Sequence, residues 1–190
     1  MDDIVKQALV KWPNVPDCYG WLGLDARGNW YMRDAAVQAL GPFPQLNVPA
    51  DPAARGSRLV HDKLIAFIAR NYESDTQGCW FFQNGPQRVY VELEATPWIW
   101  RVQRNPAGEF SVHSHTSVAS TVQHCWLDED GHVYLSTTLG FGLVHSQDVP
   151  EAAQALEAGL WPLTEVKAAS LTTDFDYVQS PAAIHSNRSL

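Results

Sequence analysis

The chain has 190 residues, of which 45% are hydrophobic, 11% aromatic and 18% charged, and its formal net charge is −8. A binder of nucleic-acid phosphates needs clustered Lys and Arg side chains, and so does a protein that docks on anionic lipids. The acidic balance therefore excludes nucleic acid and membrane surfaces as expected partners.

Cysteine usage and the N-terminus indicate where the protein resides. Cys18, Cys79 and Cys125 are odd in number, widely spaced and without a C-x-x-C motif, as is typical of reduced thiols. The segment "MDDIVKQALVKWP" opens with acids and lacks the apolar core of a signal peptide. No stretch approaches 18 apolar residues, so we expect a cytoplasmic protein.

The first predicted elements are a short helix and a hairpin. Asp2 or Asp3 caps the helix, which ends before Pro13. Its predicted apolar face consists of Ile4, Val5, Ala8, Leu9 and Trp12. Two apolar runs then flank the phrase D-A-R-G, in which Asp25 binds following amides and Gly28 supplies a positive φ, so we predict a hairpin.

A Pro-rich segment follows at residues 41–56, "GPFPQLNVPADPAARG". Its four prolines exclude a helix or a central strand. A lid, an ordered surface crossing and a passive linker all remain open for this loop. Ser57 is then predicted to cap an amphipathic helix that ends near Asn71.

One turn phrase recurs along the chain. It reads D-x-x-G-x-(apolar)-(aromatic) from Asp25, Asp75 and Asp128, and N-x-x-G-x-Phe from Asn105. An Asp or Asn side chain followed by Gly fixes a chain reversal, so each copy predicts a hairpin turn. Strands are predicted on both sides of these turns, including "CWFFQ", "RVYVELE", "WIWRVQR", "FSVHSHTS", "STVQHCWL" and two within "HVYLSTTLGFGLVHS".

The last predicted elements are a helix and a strand. Asp148 and Glu151 form a capping box for a helix that stops at Gly159. One strand is predicted around 175–178, followed by a polar, frayed tail. The order of elements predicts an α+β protein with two similar halves of curled antiparallel sheet, each packed on a helix. We place the halves at residues 1–103 and 104–190.

Four segments of the first half resemble a bacterial family of unknown function. They are "GNWYM", "GSRLVHDKLIAFIAR", "GCWFF" and "VYVELEATPW". That family has a D-G-x-W hairpin, an R-x-x-L-V helix, a glycine-led strand and a V-E-x-E-D-A-P-F element. The resemblance covers roughly residues 20–100. It implies a fold of two halves with repeated motifs and a role in ligand sensing or signal transduction, without an established activity. Ala95 and Thr96 replace the acidic part of E-D-A-P before Pro97, so it implies no acidic site here.

Aromatic and acidic residues supply the candidate binding site. Eight Trp residues are more than one core of this size needs, which indicates an aromatic-lined cleft. The candidate ligand-binding residues are Trp80, Tyr90, Glu92, Glu94, Trp98 and Trp100. Glu92 and Glu94 share a strand face, where paired carboxylates act in acid–base chemistry. The alternative is the solvent-facing side of a half-buried sheet.

His113 and His115 are the candidate metal ligands, because residues two apart on a strand share a face. The alternative is again a solvent-facing polar edge. Asp128, Asp130 and Gly131 imitate the start of a calcium loop, but Leu139 stands where the closing Glu is required, so we interpret them as a turn.

These features favour a non-enzymatic module that binds an unknown small molecule, for sensing, with no cofactor. One alternative is a protein-interaction unit that forms a homodimer. The other is a metal-dependent hydrolase that uses His113 and His115.

Overall fold

The structure, a computed structural model, describes residues 1–188, with side chains through residue 186. The chain divides into two compact units. The first unit comprises Met1–Asp25, Asn29–Ala95 and the C-terminal segment from Asp176, and the second comprises Ala26–Gly28 and Thr96–Phe175. The boundary lies at 95/96 rather than at the predicted 103/104, and the C-terminal segment belongs to the first unit.

Helices are short throughout the described part of the chain. The α-helices are α1 (Asp3–Lys11), α2 (Ala35–Ala39), α3 (Asp62–Arg70), α4 (Val149–Glu157), α5 (Leu171–Asp174) and α6 (Pro181–Arg188). Short 3-10 helices lie at Pro52–Arg55 and Ala168–Ser170.

Each unit contains one sheet. The strands of the first unit are β1 (Cys18–Leu24), β2 (Trp30–Met32), β3 (Ser57–Arg58), β4 (Tyr72–Ser74), β5 (Trp80–Asn84) and β6 (Gln87–Leu93). Those of the second are β7 (Trp98–Arg104), β8 (Phe110–Ser114), β9 (Ala119–Ser120), β10 (Val122–Leu127), β11 (Val133–Thr137), β12 (Gly140–Val144) and β13 (Leu163–Glu165). The strand orders are β3-β2-β1-β6-β5-β4 and β13-β10-β11-β12-β7-β8-β9.

The α+β class with two curled sheets is confirmed. Both sheets are mixed, because β1 pairs with β6, β12 with β7 and β10 with β13 in parallel. The remaining pairs are antiparallel, as in the hairpins that the turn phrase predicts. Because β7 pairs with β8 and β12, it belongs to the second unit, and this explains why the boundary precedes it.

The recurrent phrase forms the same turn four times. In each copy, the Oδ1 atom of the first residue accepts a hydrogen bond from the backbone N–H four residues later. The pairs are Asp25–Asn29 (2.8 Å), Asp75–Cys79 (3.0 Å), Asn105–Glu109 (2.9 Å) and Asp128–His132 (2.8 Å). The glycines lie at φ +79° (Gly28), +78° (Gly78), +88° (Gly108) and +85° (Gly131). These values favour glycine, so the predicted turns are confirmed.

The core of each unit consists of residues from its sheet. Val91 and Leu93 of β6 are at most 1% exposed, and Ile68 of α3 is 2% exposed. In the second unit Trp100 is fully buried, and its Nε1–H donates to the carbonyl of Leu135 at 3.1 Å. Trp100 is thus a core residue whose polar atom is hydrogen-bonded within the protein.

The predicted start of the long helix is wrong. Ser57 and Arg58 form β3 and pair with Met32 and Tyr31 at the edge of the first sheet. The helix begins instead at Asp62, where Nδ1 of His61 accepts from the amide of Leu64 at 3.3 Å. The pairing with β2 at the sheet edge overrides the capping preference of Ser57. Because β2 is distant in sequence, a local pattern does not predict this pairing.

The apolar face of α1 is narrower than predicted. Val5 is buried, whereas Ile4 is 72% exposed and Trp12 is 51% exposed. Asp2, expected as a cap, forms no side-chain capping hydrogen bond and instead lies beside Arg70 at 3.3 Å.

The capping box of α4 is also wrong. The carboxylate of Asp148 accepts from Arg101 at 2.5 and 3.0 Å and from the amide of Val102 at 3.0 Å. It therefore ties the start of α4 to β7 and makes no capping hydrogen bond. The two-bond pair joins opposite charges in a fixed geometry, whereas a cap joins the carboxylate to an uncharged amide, and this favours the contact with Arg101.

The C-terminal prediction needs the largest correction. Residues 175–178 form no strand, and the supposed tail contains helix α6. Strand β13 was also missed, since it comprises three residues whose pairing with β10 is parallel and non-local.

The Pro-rich segment is an ordered crossing, so its interpretation as a passive linker is wrong. The amide of Leu46 donates to the carbonyl of Glu94 at 2.7 Å. The guanidinium of Arg33, buried in the first unit, donates to the carbonyls of Gly41 and Ala54 at 2.5 and 2.7 Å.

Within residues 1–188, no helix combines the length and the apolar character that crossing a membrane requires.

Candidate functional site

A cleft of about 290 Å³ opens in the first unit, next to the turn that begins at Asp75. Strands β1 and β6, that turn and helix α6 all contribute to it. Its lining residues are Asp17, Tyr19, Asp75, Thr76, Gln77, Cys79, Arg88, Tyr90, Pro181, Ile184 and His185. The size suits a ligand near the lower limit of known small-molecule sites.

Three aromatic rings stack along one wall of the cleft. The ring of Tyr19 lies between those of Tyr90 and His185, with centroid distances of 4.6 and 4.1 Å and interplanar angles of 5° and 6°. Tyr90 is 4% exposed, Tyr19 is half-buried, and His185 of α6 is exposed. The stack thus connects the core of the unit to the surface.

The hydroxyl of Tyr90 is fixed by the turn. It donates to Oδ2 of Asp75 at 3.0 Å, while Oδ1 of Asp75 accepts from the amides of Gln77 and Cys79. Burial raises the pKa of Tyr90 well above its usual value, and Asp75 adds to this effect although a hydrogen bond with Arg88 opposes it. Burial and the charge of Asp17 likewise raise the pKa of Tyr19. Both phenols are therefore protonated donors at neutral pH.

A small hydrophobic cluster supports the floor of the cleft. Cys79, Phe81 and Tyr90 are buried there, with Tyr19 and Val178 packed against them. The guanidinium of Arg88 lies 4.6 Å from the centroid of the Phe81 ring, which places an exposed cation at the rim.

Glu92 holds the C-terminal segment in place. This side chain is 2% exposed, and its carboxylate accepts from Oγ of Ser180 at 2.6 Å and from the amide of Ala182 at 3.0 Å. Backbone bonding adds to this, since the amide of Leu93 donates to the carbonyl of Gln179 at 2.8 Å. Burial raises the pKa of Glu92 above its ordinary value, although the hydrogen bonds from Ser180 and Ala182 and the charge of Arg33 act in the opposite direction. Glu92 therefore positions α6 beside the cleft.

The remaining candidate residues of the first unit do not line this cleft. Glu94 forms a two-bond ion pair with Arg55, both distances being 2.7 Å. Trp80 packs on Tyr72 at 4.8 Å. Glu92 is buried, so its interpretation as part of a solvent-facing edge is wrong. Tyr90 is thus the predicted ligand residue that lies in the cleft.

Trp98 and Trp100 belong to the second unit. They are 8% and 0% exposed, and their rings lie 5.9 Å apart at an angle of 23°. Both side chains therefore serve the core of that unit.

His113 and His115 also lie in the second unit. His113 is in register with Arg101 on β7 and Ala119 on β9. His115 follows the end of β8, and its Nδ1 accepts from the amide of Ile99 at 3.3 Å. The structure thus assigns one nitrogen of His115 to a backbone hydrogen bond.

One group of side chains in residues 1–188 has ligand atoms within 4.8 Å of one another, as a metal site requires. It comprises Asp128, Asp130 and His132. Oδ1 of Asp128 already accepts from the amides of Asp130 and His132. Oδ2 accepts from the hydroxyl of Tyr134 at 2.8 Å and lies 2.9 Å from Nδ1 of His132. Because these contacts use the lone pairs of the carboxylate, the turn accounts for the cluster without an ion.

Tyr19, Arg88 and His185 were not identified as site residues from the sequence. Tyr19 and Arg88 lie on strands β1 and β6, whose parallel pairing is non-local. His185 lies in the helix that was predicted as a tail. The turn phrase at Asp75 was the available signal, since it places a carboxylate at a strand end.

Comparison with known proteins gives a family. The family model DUF2944, described as "Protein of unknown function (DUF2946)", matches residues 1–182. The chain belongs to this family. DUF2944 membership confirms the expected kinship with a family of unknown function. No curated protein matches the chain.

One solved structure is similar to this DUF2944 chain. It is a DUF1285 family protein from Silicibacter pomeroyi DSS-3, with a TM-score of 0.45 and 9% sequence identity. The alignment covers 81% of this chain and 84% of that one.

Proposed function

We propose that the protein is a non-enzymatic module that binds a small ligand in the cleft beside Tyr19, Arg88 and His185. The observation that carries this proposal is the stack of Tyr90, Tyr19 and His185 along a cleft of about 290 Å³. The lining is more polar than that of a usual small-molecule site, so the aromatic wall and the polar groups around it favour a small polar ligand.

Binding is favoured over catalysis by the state of the polar groups. Burial raises the pKa of Tyr19 and of Tyr90, so neither phenol supplies a base at neutral pH. Oδ1 of Asp75 is held by two backbone amides and Oδ2 by Tyr90. These groups orient a ligand as donors and acceptors and need no proton transfer.

A sensing role follows from the position of α6. Pro181, Ile184 and His185 supply one wall of the cleft, so a bound ligand contacts both the sheet and this helix. Ligand binding then stabilises the docked helix, which is how a module without chemistry converts a concentration into a structural signal.

A thermal-shift screen with a library of small metabolites tests the proposal. We expect a stabilising compound, since a ligand at about 100 times its Kd adds ~2.7 kcal/mol to the free energy of unfolding. His185→Ala, which removes the outer ring of the stack, should weaken that response. His113→Ala in the second unit serves as the control and should keep it. A response unchanged in His185→Ala, or no stabiliser at all, contradicts the proposal.

The homodimer is the second candidate, and one surface feature favours it. An apolar groove of about 240 Å³ lies between α3 and the first sheet, and at its edge Trp21 and Met32 are 42% and 46% exposed. Exposed apolar grooves commonly serve as protein contacts. Light scattering over a range of concentrations should show a dimer that Trp21→Ser weakens and Trp12→Ser does not. A monomer throughout contradicts this candidate.

The metal-dependent hydrolase and the cytoplasmic location stay predictions from the sequence. Metal analysis of protein purified without chelators or an affinity tag tests the former. Stoichiometric metal that His113→Ala abolishes would favour a site at His113 and His115, and sub-stoichiometric metal would count against it.

A further inference from the structure

The cleft contains charges of both signs that form no close ion pair with the side chains that the structure describes. Among the described side chains, those of residues 1–186, neither Asp17 nor Arg88 has an oppositely charged group within 4.0 Å. Other arginines of the protein form close pairs, as Arg55 does with Glu94 at 2.7 Å and Arg101 with Asp148 at 2.5 Å. The rim of the cleft thus presents a carboxylate and a guanidinium that are not joined in a close ion pair, although the charges of Asp17 and Asp75 act on Arg88 from a distance and favour its charged form.

Arg88 keeps donors available for a ligand. Its guanidinium is positioned by the ring of Phe81 at 4.6 Å and by a hydrogen bond with Tyr90. A guanidinium carries five N–H donors in a planar fork, which matches the two oxygens of a carboxylate. Arg88 is therefore suited to hold an acidic group of the ligand.

Asp75 keeps an acceptor position on the other side. Its Oδ2 accepts one hydrogen bond in the described part of the chain, from Tyr90, and each carboxylate oxygen can accept about two. Asp17 lies at the same rim and is exposed. After burial, the charge of Asp17 is the next cause that raises the pKa of Tyr19, and Asp75 adds to it, so both carboxylates act on this part of the cleft. A cationic nitrogen is favoured there.

We propose that the ligand is a small ammonium carboxylate of the free amino-acid type, with its ammonium group at Asp17 and Asp75 and its carboxylate at Arg88. This inference rests on the proposed function and names the ligand class of that same cleft. The volume of about 290 Å³ fits a molecule of this size. A ligand with both charges satisfies both sides of the cleft, whereas a singly charged compound leaves one of them uncompensated.

The test is a calorimetric and thermal-shift titration of the full chain with the twenty common amino acids. For the best binder, its amide, which keeps only the cation, and its N-acetyl derivative, which keeps only the anion, are titrated at equal ionic strength. We expect each derivative to bind roughly tenfold more weakly or worse, because a charged hydrogen bond is lost.

Variants test the two ends of the ligand separately. Arg88→Gln should weaken binding of the amino acid and leave the affinity of its amide nearly unchanged. Asp17→Asn should also weaken binding of the amino acid, but it should leave the affinity of the N-acetyl derivative nearly unchanged. Arg104→Gln is the matched control, since Arg104 lies over Phe110 at 5.6 Å in the second unit. Asp62→Asn, an exposed acid in the first turn of α3, controls for the loss of an acidic charge. Unfolding without ligand verifies that each variant is folded.

The outcomes separate this inference from the function on which it rests. A ligand that depends on His185 but is uncharged or singly charged overturns the ammonium carboxylate and leaves the binding function intact. Equal affinity for the amino acid and its amide also overturns it. A screen without any ligand overturns both.

Discussion

At the scale of single residues, a tyrosine hydroxyl completes two of the four copies of the recurrent turn. In the turn that begins at Asp128, the seventh residue is Tyr134, and its hydroxyl donates to Oδ2 of that Asp at 2.8 Å. In the turn that begins at Asp75, the seventh residue is Phe81, and its cross-strand partner Tyr90 makes the equivalent bond at 3.0 Å. The same carboxylate contact is thus supplied from β6, which brings the Tyr90 hydroxyl to the cleft.

Tyr134→Phe should lower the free energy of unfolding by about 1–2 kcal/mol, because the hydroxyl donates to a buried carboxylate. Tyr90→Phe should cost a similar amount and should also weaken ligand binding, which Tyr134→Phe leaves intact. Chemical denaturation and a thermal-shift titration measure the two effects. Equal ligand affinity in wild type and Tyr90→Phe would exclude that hydroxyl from the site.

Glu92 makes stability depend on pH. Burial raises its pKa above the ordinary value of 4.5, against the donors Ser180 and Ala182 and the charge of Arg33. A group with a raised pKa contributes stability that is fully present below its unfolded pKa and is lost as pH rises through the folded value. The wild type should therefore lose stability relative to Glu92→Gln as the pH increases from about 4.5.

Denaturation curves of both proteins across this pH range measure that difference. Parallel dependence of the two free energies on pH would show that the Glu92 carboxyl does not titrate with folding.

At the scale of elements, the C-terminal segment stabilises the first unit and supplies one wall of the proposed binding cleft. Helix α6 places His185 on Tyr19, and Ser180 donates to Glu92. A chain that ends at Gln179 should unfold at a lower temperature and lose its ligand response, because the outer wall of the cleft is gone. Ser180→Ala keeps α6 and should lower the melting temperature by a smaller amount, since one hydrogen bond is lost. Full ligand affinity in the truncated chain would remove α6 from the site.

What could be predicted at this scale depends on how local the cause is. The turns at Gly28, Gly78, Gly108 and Gly131 each depend on an Asp or Asn side chain and on a glycine that adopts a positive φ. The sequence shows both residue types at the required spacing. The parallel pairing of β1 with β6 joins residues such as Leu24 and Leu93, and no local pattern specifies it. Helix α6 has a polar sequence and is held through Glu92, so its formation depends on tertiary contacts.

The candidate site also combines a residue that the local sequence predicts with residues that only the folded structure brings together. Tyr90 was predicted because an aromatic residue beside acidic neighbours indicates a binding strand. Tyr19 and His185 come from distant parts of the chain, and the stack that joins them exists only after folding.

At the scale of the whole molecule, each unit has its own sheet, and the cleft is built within the first unit alone. The charges that hold α4 to β7, Arg101 and Asp148, are paired within the second unit. Asp17 and Arg88 of the first unit have no such pairing among the side chains described, which extend to residue 186. The proposal of ligand recognition in the first unit rests on these charges together with the cleft that they line.

Hydrogen–deuterium exchange with and without the best amino-acid binder tests the central claim most directly. We predict slower exchange in the peptides that cover β1, the turn at 75–79, β6 and α6, with no change in β10, β11 or β12 of the second unit. Protection confined to the second unit, or absent from all of these segments while ligand is bound, would contradict the account.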